Sequence, residues 1–188
     1  MTEHEATEGL EAADHGTSHA GLGAADEANE PRIVQVHGEH GETIYALDQD
    51  GDNVADAAAY DDDNDGVIDR IAIDTDGDGT LETELRDLDG DGRIDAVFVD
   101  TDGDGHKDVA ALDTDGDGRF DRVIVDSDGD GRIDTDIRDT NHDGSADWVG
   151  RDEDGDGRRD YVVTDSDHDG TFDTVHYDDP KDNPLAQA

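Results

Sequence analysis

The chain has 188 residues, of which 56 are acidic and 13 basic, for a formal net charge of −43. Only 31% of residues are hydrophobic and 4% aromatic, so such a chain would ordinarily repel itself and bury too little apolar surface to offset its conformational entropy. Cysteine is absent, which excludes disulfides, thiolate metal sites and cysteine nucleophiles, and the acidity argues against a nucleic-acid partner.

Composition therefore leaves two outcomes: an unfolded chain, or one folded by cations. Residues 1–32 read as a disordered acidic, histidine-containing tail. Its start, MTEHEATEGLEAADHG, lacks a basic region followed by an apolar one, so no secretory signal is expected. His4, His15 and His19, with His37 and His40, offer imidazoles to a transition ion, but in an acidic flexible segment they read as solvated. Residues 33–47 differ. Ile33, Val34, Val36, Ile44 and Tyr45 flank a polar, glycine-containing turn, which predicts a β-hairpin-like cap. No apolar run approaches membrane-spanning length.

An internal repeat governs residues 48–177. Aspartates recur every 13 residues at Asp48, Asp61, Asp74, Asp87, Asp100, Asp113, Asp126, Asp139, Asp152 and Asp165, without insertion or deletion. Each unit is a nine-residue acidic loop, D-x-D-x-D-G-x-x-D, followed by four residues that are often apolar or β-branched, such as AVFV at 96–99 and YVVT at 161–164. These tetrads predict very short strands, with Phe98, Trp148 and Tyr161 as packing residues. After Asp178, Pro180 and Pro184 interrupt the pattern, and 178–188 reads as a frayed tail.

The candidate metal ligands are the acidic or amide side chains at loop positions 1, 3, 5 and 9. The first three loops supply Asp48, Asp50, Asp52 and Asp56; Asp61, Asp63, Asp65 and Asp69; and Asp74, Asp76, Asp78 and Glu82. The fourth and fifth supply Asp87, Asp89, Asp91 and Asp95, then Asp100, Asp102, Asp104 and Asp108. The sixth and seventh supply Asp113, Asp115, Asp117 and Asp121, then Asp126, Asp128, Asp130 and Asp134. The last three supply Asp139, Asn141, Asp143 and Asp147; Asp152, Asp154, Asp156 and Asp160; and Asp165, Asp167, Asp169 and Asp173. Alternate side chains at positions 1, 3 and 5 converge if the backbone curls, and the curl needs a positive φ near position 6. Glycine stands there in nine loops and Asn53 in the first. Position 7 ranges from Val54 to Arg93, His106 and Ser145, as expected where only the backbone carbonyl is used.

Six to eight hard oxygens in a roomy cage favour calcium over magnesium, which demands a tighter octahedron, and over zinc or copper, which want imidazole or thiolate. About ten Ca²⁺ ions are expected. The D-x-D-x-D-G core resembles the first half of an EF-hand or dockerin loop, closure at position 9 resembles the calcium loops of integrin α-chain propellers, and the tandem arrangement resembles thrombospondin type 3 repeats. The resemblance covers about 126 residues, 48–173. Position 12, the bidentate glutamate of an EF-hand, is never acidic here, and four residues cannot form its flanking helices, so position 9 must close the cage.

The expected fold is all-β and loop-rich: a calcium-stabilised array with a solenoid-like β-roll favoured, and an antiparallel meander or propeller-like arrangement of the four-residue strands as the alternative. The expected role is a structural or adhesive module, against a high-capacity intracellular calcium store or an acidic surface for mineral or a protein partner. No nucleophile, phosphate loop or isolated reactive centre stands out, so no enzyme activity is expected. The calcium demand points outside the cell or to its surface, whereas the lack of a signal segment points to the cytoplasm.

Overall fold

The computed structural model describes residues 30–178. Most of the tail expected at 1–32, and all but the first residue of that at 178–188, lie outside them. Within the described residues the chain is all-β, and no helix is long and apolar enough to cross a membrane. The chain divides into two compact units, Met1–Lys107 and Asp108–Ala188.

The first unit holds β1 (Arg32–His37), β2 (Thr43–Asp48), β3 (Ala57–Asp61), β4 (Arg70–Ile73), β5 (Thr83–Arg86) and β6 (Ala96–Val99). The second holds β7 (Val109–Leu112), β8 (Arg122–Val125), β9 (Thr135–Arg138), β10 (Trp148–Arg151), β11 (Tyr161–Thr164) and β12 (Thr174–Tyr177). From β3 onward every strand starts on a repeat tetrad. Within each unit, each strand pairs antiparallel with the next in an open meander.

This arrangement is the meander and not the favoured β-roll. The position-9 amide explains it: Asp95 N donates to Arg86 O at 2.8 Å, Asp121 N to Leu112 O at 2.9 Å and Asp147 N to Arg138 O at 2.9 Å. Each bond joins the residue before a loop to the loop's last residue. The chain is thus turned back beside itself, as in a hairpin, instead of passing on to a second sheet. An unbroken 13-residue period suits stacked coils equally well, so the period could not decide between them.

Within each unit, consecutive loops accordingly lie at opposite ends of the strands, and loops two repeats apart share an edge. Backbone bonds tie these same-edge loops together. Position 1 of one loop donates to the position-9 carbonyl two loops earlier, as in Asp87 N to Asp69 O at 2.8 Å and Asp139 N to Asp121 O at 2.9 Å.

The apolar core is thin. In the first unit the register lines up Val36, Ile44 and Tyr60 in one row and Val34, Ala46, Ala58 and Ala72 in the next. Two small clusters result, Ala46 and Ala55 with Val34, and Ile44, Ala58 and Tyr60 with Val36, Ala72 and Leu81. The Arg70 guanidinium stacks 3.7 Å from the Tyr60 ring centre. In the second unit Ala110 and Val162 are buried, Arg138 lies 4.5 Å over Trp148, and Tyr161 meets Tyr177 at 5.9 Å. Elsewhere RIAI of β4 and RVIV of β8 are only half-buried at all four positions. The buried side chains are more often polar than apolar, and ten of them are carboxylates at loop positions 1 and 9. Ionised side chains are seldom buried unless paired or coordinated, so this inversion moves the question of stability to the loops.

Candidate metal sites in the acidic loops

The fourth loop (87–95) shows how the sequence builds its cage. Asp87 accepts the Gly90 amide on Oδ1 and the Gly92 amide on Oδ2, both at 2.7 Å. Asp89 Oδ1 accepts the Asp91 amide at 3.1 Å, and Asp91 Oδ1 accepts the Arg93 amide at 2.9 Å. Asp95 Oδ2 accepts the Leu88 amide at 2.6 Å, closing the ring from position 9 to position 2. The acidic side chains at positions 1, 3 and 5 thus bond backbone amides further on, the one at position 9 reaches back, and the chain bends around its own carboxylates. The pattern recurs at position 1 in the sixth, seventh and ninth loops, with Asp113, Asp126 and Asp152 each accepting two amides. Asp100 of the fifth loop does the same.

The curl puts Gly92 at φ 87° and Asn53, its counterpart in the first loop, at φ 76°. A Cβ on Gly92 would meet nothing within 4 Å, so a substitution there strains the backbone alone. Gly92→Ala is expected to destabilise the protein by about 1–2 kcal/mol, and Gly92→Asn by less than half as much. Urea midpoints of the two variants check this; equal losses would mean that crowding and not φ sets the cost.

Carboxylates converge in part of the expected pattern, and Asp52, Asp65 and Asp91 at position 5 are not members of the groups formed in their loops. Positions 1, 3 and 9 bring oxygens within 4.8 Å of one another in the first loop (Asp48, Asp50, Asp56), the second (Asp61, Asp63, Asp69) and the fourth (Asp87, Asp89, Asp95). In the third, all four side chains join: Asp74, Asp76, Asp78 and Glu82. The glutamate is one methylene longer and reaches further across the loop. Five more such groups occur among the described residues. In the first loop a guanidinium meets the position-1 carboxylate, Arg32 Nε donating to Asp48 Oδ2 at 3.0 Å, whereas Arg93 and Arg132 approach the position-5 carboxylates Asp91 and Asp130 only at 4.0 and 3.9 Å.

Like charges 4.8 Å apart repel by about 3–4 kcal/mol per pair at an effective dielectric near 20. At Asp87 and Asp134 hydrogen bonds nevertheless favour the ionised form. Burial pushes the Asp87 carboxyl up, but the Gly92, Gly90, Asp89 and Asp91 amides outweigh it and keep it below the ordinary carboxylate value. Asp134 is lowered first by the Ser127 hydroxyl and then by the Ser127 amide.

Two oxygens test whether the residues fit a cation. Asp61 is 6% exposed and Glu82 8%, yet Asp61 Oδ1 and Glu82 Oε1 have no hydrogen-bond donor. A buried, unpaired anionic oxygen costs well over about 1–3 kcal/mol, and both residues belong to converging carboxylate groups. The donor set is all oxygen. The residues fit a hard divalent cation.

Sequence reasoning missed two histidines. His142 and His168 occupy position 4, which the pattern marks only as turn-prone; both adopt φ 57° and reach back to the loop two repeats earlier. The partners lie more than twenty residues upstream, so no local spacing could reveal them. Compared with known proteins, the chain matches no family model, no curated protein and no solved structure.

Proposed function

We propose that this chain is a calcium-binding repeat protein, a structural or adhesive array whose loops fold around about ten Ca²⁺ ions. The observation that carries the reading is the pair of buried, donorless oxygens, Asp61 Oδ1 and Glu82 Oε1, on residues that belong to converging carboxylate groups. In each loop the side chains of positions 1, 3, 5 and 9 and the carbonyl of position 7 would hold the ion, as the resemblance to EF-hand, integrin-type and thrombospondin type 3 loops implies. The ion supplies charge compensation and a cross-link where the apolar core is too small.

The backbone supports a structural array over a set of independent stores. The position-9 peptide joins its own loop to the next loop on the same edge, so ordering one cage helps order its neighbour. No helix pair is present among the described residues to open a groove on ion binding, which argues against a sensor.

Calorimetric titration of the full chain with Ca²⁺ is expected to return about ten equivalents, with the Arg32-faced first loop filling last, and a much smaller heat with Mg²⁺. A stoichiometry of one or two would overturn the proposal.

A further inference from the structure

We propose that Asp115, Asp121 and His142 form a mixed nitrogen–oxygen site for a divalent transition ion of zinc's chemistry, joining the eighth loop to the sixth. Ligand atoms of these three side chains lie within 4.8 Å of one another. His142 Nδ1 is 3.1 Å from Asp115 Oδ2 and 3.7 Å from Asp121 Oδ2. A tetrahedral zinc ion with bonds of about 2.0–2.1 Å sets its ligand atoms roughly 3.3 Å apart, so these separations match the requirement. An all-oxygen loop discriminates against zinc, and one imidazole changes that preference.

The carboxylates are held in place for this. Asp115 Oδ1 accepts the Asp117 amide at 3.1 Å, which leaves Oδ2 turned to the imidazole. Asp121 accepts the Thr114 amide and hydroxyl at 2.8 and 2.7 Å and is 8% exposed. A pocket of about 250 Å³, lined in part by Thr114, Asp121, Thr140 and His142, adjoins the cluster and leaves the fourth position to solvent. Arg122 and Arg138 also line it, but both guanidinium groups are paired with Asp136.

The next loop pair on this edge is an internal control. His168 stands against the eighth loop as His142 stands against the sixth, with Nδ1 3.6 Å from Asp147 Oδ2. In place of Asp115, however, it meets Asn141, whose Nδ2 is 2.9 Å from the ring nitrogen. The same frame there lacks one anionic ligand, so zinc is confined to the first of the two positions.

The test titrates Zn²⁺ into the calcium-loaded full chain by calorimetry, with free calcium monitored and Co²⁺ as a visible-absorption probe of four-coordinate nitrogen–oxygen binding. One tight equivalent is expected, displacing the calcium that shares Asp115 and Asp121. His142→Gly, which installs the residue seven other loops carry at position 4, should weaken that equivalent by more than about 100-fold, since even outer-shell partners of a metal are worth 10–100-fold. His142→Asn, which also tolerates positive φ, repeats the test should the glycine variant misfold. Asn141→Asp should add a second equivalent through His168. Zinc isotherms unchanged by both His142→Gly and Asn141→Asp would overturn the proposal and leave His142 as a simple ion-pair partner. A chain that takes zinc through His142 but no calcium would instead overturn the functional reading and leave this site standing.

Discussion

Adding a chelator to the calcium-loaded protein is expected to abolish most of its β-sheet circular dichroism in one cooperative transition, reversed by restoring calcium. The reason is the imbalance between core and charge. Eight hydrophobic residues among those described are buried, five of them alanines, against a formal charge of −43. Ten bound Ca²⁺ ions would remove roughly 20 of those charges at the points of closest carboxylate approach. Because the cages do not exist in an unfolded chain, the free energy of binding becomes free energy of folding. Concentrated sodium chloride should rescue the fold only in part. Near 1 M the screening length is about 3 Å, but the clustered oxygens exclude a diffuse ion atmosphere, and salt supplies no bridging ligand. A spectrum unchanged by the chelator would sink the proposal, because the sheet would then be standing without its ions.

The second large effect is expected at Glu82. Its Oε2 accepts the Thr75 amide at 3.0 Å and hydroxyl at 3.2 Å, while Oε1 is buried without a donor. Its carbonyl also accepts Lys107 Nζ at 2.9 Å and the Asp100 amide at 3.0 Å, so this residue ties its loop to the next on the same edge. Glu82→Gln keeps size and shape but removes the charge and one anionic ligand. It should weaken calcium at the third loop by about 10–100-fold, equivalent to about 1.4–2.7 kcal/mol, and raise the calcium concentration needed for folding. Glu82→Asp restores the side chain found at position 9 of the other nine loops and should cost far less. Without calcium the order reverses: the neutral glutamine relieves a buried charge, so Glu82→Gln should retain at least as much residual structure as the parent. Calcium-dependent folding curves of the two variants check both signs. If glutamine and aspartate proved equally harmful in calcium, Glu82 would be acting through packing and not through its charge.

Much of the local structure was legible because each loop is built by contacts within nine residues. The carboxylate-to-amide bonds of 87–95 follow from acidic residues at alternate positions and glycine where φ is positive. The tetrads AVFV, RVIV and TDIR became β6, β8 and β9 without a shift of register. The hairpin read at 33–47 from its apolar pairs is formed by β1 and β2, and β2 continues directly into pairing with β3.

The sequence by itself determined where the loops and strands lie, that side chains of positions 1, 3 and 9 approach one another, and how little apolar surface there is to bury, because spacing, turn chemistry and charge are short-range properties. Only the tertiary structure decided the strand direction, the sharing of edges by alternate loops and the reach of His142 to Asp115 and Asp121. Those depend on one bond type repeated along the chain, the position-9 amide to the carbonyl before its loop. That bond turns each strand back on the last and brings together residues that the linear order keeps apart.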